Sequence, residues 1–258
     1  MFYARLSGKL GFVRDAIMCY KYSMEGDNSL SIKAVAFDLD GTLYPNYRLY
    51  VRLFPHLMRH FFFYGAFLKA RRRLHSVQSA HSEQVSSFYD RQASVMAELL
   101  GKTADQTKLK LERLVYRGWE KYFSGIKIFP RLKETLLALK GSGFRLAVLS
   151  DLPPARKLSL LGLEGFFDVI LSSEETGALK PSGVPFNVLS HSLNLEPGKI
   201  LYVGNSLYFD VEGAKSAGMK AALIRKGVFS TGHIPGSGID AADFVFRDYR
   251  QLQEYILK

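Results

Sequence analysis

Ala34-Val35-Ala36-Phe37-Asp38-Leu39-Asp40-Gly41-Thr42-Leu43-Tyr44 is the stretch on which the rest of the chain turns. A charge-free apolar run ends in two aspartates one residue apart, and Gly41, Thr42, Pro45 and Asn46 follow. An apolar run bounded by such punctuation predicts a buried strand, as in a parallel sheet. In open parallel sheets ligands bind beyond the carboxyl ends of the strands, and Asp38 and Asp40 fall there. Two carboxylates this close repel each other unless a cation or a shared proton offsets them. A hard cation such as Mg²⁺ takes oxygen ligands and keeps water and substrate phosphate in the rest of its shell. The pair points to Mg²⁺-assisted phosphate chemistry, set against the simpler reading of a polar turn after a strand.

Composition bounds the alternatives. The 258 residues are 47% hydrophobic and 23% charged, a globular balance. The length allows one large α/β core with a smaller insert. Thirty-five Lys and Arg against 24 Asp and Glu leave a net charge of +11. That excess suits an anionic partner, whether phosphorylated metabolite, nucleic acid or membrane surface, or only a generally basic, solubilising exterior. Cys19 is the single cysteine, so no intrachain disulfide forms and a reducing, cytoplasmic setting is the expectation. Residues 1–30 mix Arg5, Lys9, Arg14, Asp15 and Lys21 with apolar residues. They lack the continuous apolar segment of a signal peptide and read as an extension to the core. No stretch approaches the roughly 20 apolar residues that span a bilayer.

After Tyr44 the strand-and-helix alternation stops. Residues 47–129 predict an all-helical insert, with long patterns at Val85–Leu100 and Ala104–Phe123 separated by Gly101. Within it, Phe61 to Leu68 is nearly all apolar, and Lys69 and Arg71 to Arg73 follow. A bundle core with a solvated basic end is favoured there over a membrane-surface helix. His56, His60, His75 and His81 show no metal-site spacing. The α/β rhythm resumes at Pro130, with strands at Phe144–Leu149, Asp168–Leu171, Lys199–Val203, Ala221–Ile224 and Phe244–Phe246. The expected fold is a Rossmann-like three-layer α/β core with a parallel sheet, formed by 31–46 and 130–258, carrying a helical cap.

Polar signals stand at the ends of successive strands: Asp38 and Asp40, Ser150, Lys180 in the loop after the third strand, then Asn205 and Asp210. With Lys180-Pro181 and Phe186, Gly204-Asn205-Ser206, Gly213-Ala214 and Ala217-Gly218, the set resembles the haloacid dehalogenase superfamily of phosphohydrolases. The resemblance runs from about Lys33 to the end, apart from the detail of the insert. It implies Asp38 as nucleophile, Asp40 as general acid and then base, Ser150 as donor to a phosphoryl oxygen and Lys180 as charge neutraliser. It further implies a phosphate cradle of Leu39, Gly41, Thr42, Ser150, Asp151 and Lys180, and Mg²⁺ held by Asp38, the Asp40 carbonyl, Asn205 and Asp210. Asp40 favours phosphoryl transfer, because the family's true dehalogenases lack this second aspartate.

One position departs from the pattern. The fourth motif of such phosphatases usually begins Gly-Asp, and here Asn205 follows Gly204. A neutral carboxamide offers oxygen without charge, so Mg²⁺ is expected to bind more weakly. The leading reading is a Mg²⁺-dependent phosphatase of a small phosphorylated metabolite, with no nucleic-acid partner. The alternatives are a weakly active or inactive phosphate-binding protein of the same fold and, less favoured, a 2-haloacid dehalogenase. Arg48 and Arg52 either meet a second anionic group of the substrate or are solvated helix charges.

Overall fold

The structure, a computed structural model, describes residues 32–76, 87–225 and 241–258. The extension over 1–30, His81 and the start of the helical pattern at Val85 lie outside the described residues. β1 (Ala34–Phe37) is fully buried and leads directly into the twin aspartates. The insertion follows as α1 (Asn46–Arg59), α2 (Phe61–Ser76), α3 (Phe88–Leu100), α4 (Ala104–Leu111) and α5 (Glu120–Phe123). The core resumes with α6 (Leu132–Gly141), β2 (Arg145–Ser150), α7 (Ala155–Leu160), β3 (Val169–Ser172) and α8 (Gly183–Leu193). β4 (Ile200–Gly204), α9 (Gly213–Ser216), β5 (Lys220–Ile224), β6 (Phe244–Phe246) and α10 (Tyr249–Ile256) complete it.

The strands form one parallel sheet in the order β3-β2-β1-β4-β5-β6. β1 lies between β2 and β4, so the chain reverses its direction of growth there, and a crevice opens at the strand ends. Alternation along each strand sends Ala34, Ala36, Ala147, Leu149, Tyr202 and Leu223 to one face, against Phe186, Leu189 and Leu193 of α8 and Ala214 of α9. The intervening Val35, Phe37, Leu146, Val148, Leu201 and Val203 are also fully buried. α6 and α10 accompany the strands. Burial on both faces is why the strands read as continuous apolar runs.

The insertion departs from expectation in one place. Ala104–Phe123, expected as one helix, breaks after Leu111 into a π-turn over Glu112–Tyr116 and the short α5. Gly118 explains the break: a Cβ there would stand 2.2 Å from the Leu114 carbonyl oxygen. That carbonyl accepts instead from Tyr64 Oη at 2.6 Å and contacts His56 Nε2 at 3.2 Å. The Phe61–Leu68 run also splits. Phe63, Tyr64 and Phe67 pack into the insertion's core with Met96, Leu111 and Val115, whereas Phe61, Phe62 and Leu68 face solvent.

The insertion leaves the core and returns to it at one point, because Phe129 N–H donates to the Leu43 carbonyl at 3.0 Å. A second tie is buried: Arg71 of α2 pairs with Glu174 of the loop after β3, whose other oxygen accepts from Tyr116 Oη at 2.8 Å. Arg91 of α3 donates to the Gly177 carbonyl of the same loop at 2.6 Å. Among the described residues, no helix is long and apolar enough to cross a membrane.

Candidate active site

Asp38 is the first residue past β1, and its N–H still donates to the Val203 carbonyl of β4 at 2.8 Å. The strand's last hydrogen bond therefore sets the carboxylate in the crevice. Thr42 Oγ1 donates to Asp38 Oδ2 at 2.8 Å, and Lys180 Nζ to Oδ1 at 2.8 Å. Thr42 is itself anchored, since Tyr249 Oη donates to its carbonyl at 2.5 Å. The Leu39 carbonyl closes the turn by accepting from Leu43 N–H at 3.0 Å. Gly41 has φ +91°, which an L side chain rarely adopts, and the amides of Asn205 and Asn46 crowd the place its Cβ would take.

Lys180 is 2% exposed and holds three partners: Asp38, Asp210 Oδ1 at 2.7 Å and Tyr202 Oη at 3.2 Å. Burial pulls its proton affinity down, but Asp210 and Asp38 outweigh that and hold it well above the ordinary lysine range. Burial acts the other way on Asp38. Only part of its cost is relieved by Lys180, Asp210 adds like-charge repulsion, and the carboxyl is pushed up to about 7. Asp151 does not point to a ligand alone: its Oδ1 accepts from the Lys180 N–H at 3.4 Å and fastens the lysine loop. Ser150 at the end of β2 is 1% exposed, and its Oγ has no protein partner. A buried hydroxyl without a partner is costly, and this one has its donor capacity unspent at the end of β2.

Asp210 is committed at both oxygens. Oδ1 bonds Lys180, and Oδ2 accepts the N–H groups of Asn205 and Ser206 at 3.0 Å each. It shapes its own loop before it can serve any metal. Gly204 makes room for it, since a Cβ there would lie 2.3 Å from the Asp210 Cβ. Gly213 has a comparable reason, because its Cβ would lie 2.5 Å from the ring of Phe186. The segment Leu207–Glu212 winds as a π-turn, with Ser206 Oγ accepting from Phe209 N–H. Asn205 is exposed. Among the described residues no three His, Cys, Asp or Glu side chains form a metal-binding group. Asp38 likewise has a partner at each oxygen, Lys180 and Thr42, so the candidate donors are the Asp38 and Asp210 carboxylates, the Asp40 carbonyl and the Asn205 carboxamide. These fit a hard cation by donor type, with one charge fewer than an aspartate at 205 would bring.

The sequence reading missed Lys157. It lies in α7, is 8% exposed, and donates to Asp40 Oδ2 at 2.6 Å. Tyr44 Oη takes the other oxygen of Asp40 in a short hydrogen bond. Nothing in α7 marks Lys157 in the sequence beyond its place after the Pro153-Pro154 loop. Arg52, weighed as a substrate contact, donates instead to the carbonyls of Tyr122 and Ser124. A cavity of about 820 Å³ lies between the insertion and the loops after β2 and β3, and neither Asp38 nor Asp40 lines it. Its link to the site is indirect: Lys157 and Phe123 are among its walls, Lys157 donates to Asp40, and Phe123 packs edge-on to Tyr44 at 5.5 Å.

Comparison with known proteins gives this geometry a context. A family model described as haloacid dehalogenase-like hydrolase matches residues 32–218. Two proteins named glyceraldehyde 3-phosphate phosphatase are similar over 87% of this chain: one from Methanopyrus kandleri at 30% identity, covered over 97% of its length, and one from Methanothermobacter thermautotrophicus at 28%, covered in full. A solved L-2-haloacid dehalogenase superposes with a TM-score of 0.62 at 22% identity, over 88% of this chain and 99% of its own. At that identity the likeness is one of fold.

Proposed function

We propose, since the chain belongs to the haloacid dehalogenase-like hydrolase family, that it hydrolyses the phosphate monoester of a small metabolite. The observation that carries the reading is Asp40. It is two residues beyond a buried Asp38, partly open to solvent, and held by Lys157 and Tyr44. A reaction whose leaving group is an alkoxide needs such an acid, and one that expels halide does not. The names of the two relatives support the same class.

In this reading Asp38 attacks phosphorus in line, and the ester oxygen leaves with the electrons of the broken P–O bond and a proton from Asp40. Water then attacks the aspartyl phosphate, giving its proton to Asp40 and releasing phosphate and Asp38. Lys180 holds Asp38 in place and balances the charge gathering on the phosphoryl oxygens. Ser150 Oγ donates to one of those oxygens and so acquires its partner. Mg²⁺ would be held by Asp38, the Asp40 carbonyl, Asn205 and Asp210, directly or through water, and its charge would favour the crowded anions.

The test is release of inorganic phosphate from p-nitrophenyl phosphate, glyceraldehyde 3-phosphate and phosphoglycolate, with and without Mg²⁺. Chloride release from 2-chloropropionate serves as the contrast. Phosphate release that requires Mg²⁺ is expected, and chloride release alone would replace this reading with dehalogenation. A second reading, a phosphate-binding protein with little turnover, rests on Asn205. Asn205→Asp should lower the Mg²⁺ concentration that half-saturates a thermal shift by about tenfold. Coincident curves would place residue 205 outside the metal shell.

A further inference from the structure

From Asn46 to Ser76 the chain carries seven Lys and Arg and no Asp or Glu. The same stretch presents an apolar ridge to solvent. On α1, Tyr47, Tyr50, Val51, Phe54 and Met58 recur at helical spacing, with exposures from 49% at Met58 to 71% at Val51. Leu49 and Leu53, on the opposite side, are the residues α1 buries. The ridge continues into α2 through Phe61, Phe62 (85% exposed) and Leu68. Arg48, Arg52 and Arg59 follow one flank of α1, and Lys69 and Arg72 lie on the exposed side of α2. Arg52 and Arg71 are bound within the protein, whereas Arg59, Lys69 and Arg72 enter no ion pair with the described residues.

A contiguous apolar surface of this kind marks an interaction site. Its charge selects the partner. A second copy would bring the same acid-free, basic stretch against itself. A nucleic acid would meet the cations but leave Val51, Met58, Phe62 and Leu68 unused. An anionic bilayer uses both: side chains on the ridge enter the headgroup layer while flanking Arg and Lys meet lipid phosphates. We propose that α1 and the start of α2 form a docking face for the surface of an anionic membrane. The ridge also reaches the crevice. Tyr50, although 54% exposed, stands near enough to Asp40 and Asp38 that partial burial and then their charges raise its pKa. A docked protein would therefore carry its site mouth close to the lipid.

Sedimentation of the full chain with vesicles tests this independently of any phosphatase activity. Binding is expected to phosphatidylcholine vesicles containing phosphatidylglycerol, not to phosphatidylcholine alone, and to weaken as salt rises. Phe54→Ser with Phe62→Ser should weaken it at least about tenfold, and Arg59→Glu with Arg72→Glu comparably. These side chains are largely exposed, so unfolding midpoints should match the parent; Phe62→Ser alone serves if the pair fails to fold. Equal recovery with both vesicle types, or variants that bind like the parent, would overturn the proposal. So would a dimer that the Phe variants dissociate, or RNA binding, in the absence of vesicle binding.

Discussion

At the strand ends, Lys180 is sealed from water between Asp38 and Asp210, and every buried charge has a named partner. On α1 and α2, Arg59 and Arg72 stand in solvent beside exposed aromatics, with no acid within the stretch. The first region binds its charges to one another, so its geometry is set before any ligand arrives. The second leaves its charges outward, so its energetics depend on what comes to it. A substitution in the first is felt as lost folding or lost chemistry; in the second, only when a partner is present.

The sharpest probe is Asp38→Asn, which should lower turnover by about 10⁴-fold or more while the protein stays folded. Lys180 keeps Asp210, and the variant removes a carboxyl that burial raises from 3.8 to about 7. A carboxyl with a raised folded pKa adds no cost below pH 4. Its cost grows as pH climbs toward 7, where the folded state too must ionise it. The variant's stability relative to the parent should therefore rise across that window in urea unfolding. Turnover near the parent's would remove Asp38 from the chemistry.

Lys180→Met should be destabilising by about 3–5 kcal/mol, because it leaves two buried carboxylates without their cation. Arg59→Met, on the outward side, should stay within about 0.5 kcal/mol. Equal losses in the two would end the contrast between the regions. Two glycines give a finer measure. Gly204→Ala pushes a methyl into Asp210 and should cost about 1–3 kcal/mol. Gly65→Ala, within α2 with no atom near its would-be Cβ, should raise stability by about 0.5–1 kcal/mol in thermal unfolding.

The same contrast governed what could be read from the chain. Parallel strands buried on both faces appear as apolar runs, and the polar residue that ends each run is the one the crevice receives. Asp38 and Ser150 were legible for that reason, and Lys180 from its loop before Pro181. Asp210 was legible as a polar residue following β4, yet its bonds to Asn205 and Ser206 N–H depend on a π-turn that no local pattern announces. Lys157 stayed hidden because its partner lies 117 residues away. Arg71 and Glu174, 103 residues apart, were hidden in the same way. Gly118 was a visible signal for the broken helix, outweighed by the apolar periodicity on either side. In the aromatic run, which rings are buried was decided by packing against α3 and the π-turn rather than by composition.

The hydrogen bond from Phe129 to Leu43 closes the base of the insertion. The two ends of that long excursion meet on adjacent backbone, outside the registers that pair β1 with β2 and β4. The insertion is thus a cassette: lengthened, shortened or exchanged for another helical module, it can alter what reaches the carboxylates without re-registering β1 against β2 and β4. What must be preserved at a graft is the pair of ties to the Glu174–Gly177 loop, since that loop runs straight on to Lys180. A lineage or an engineer can therefore retune selectivity in the insertion and leave the reaction's floor inherited intact.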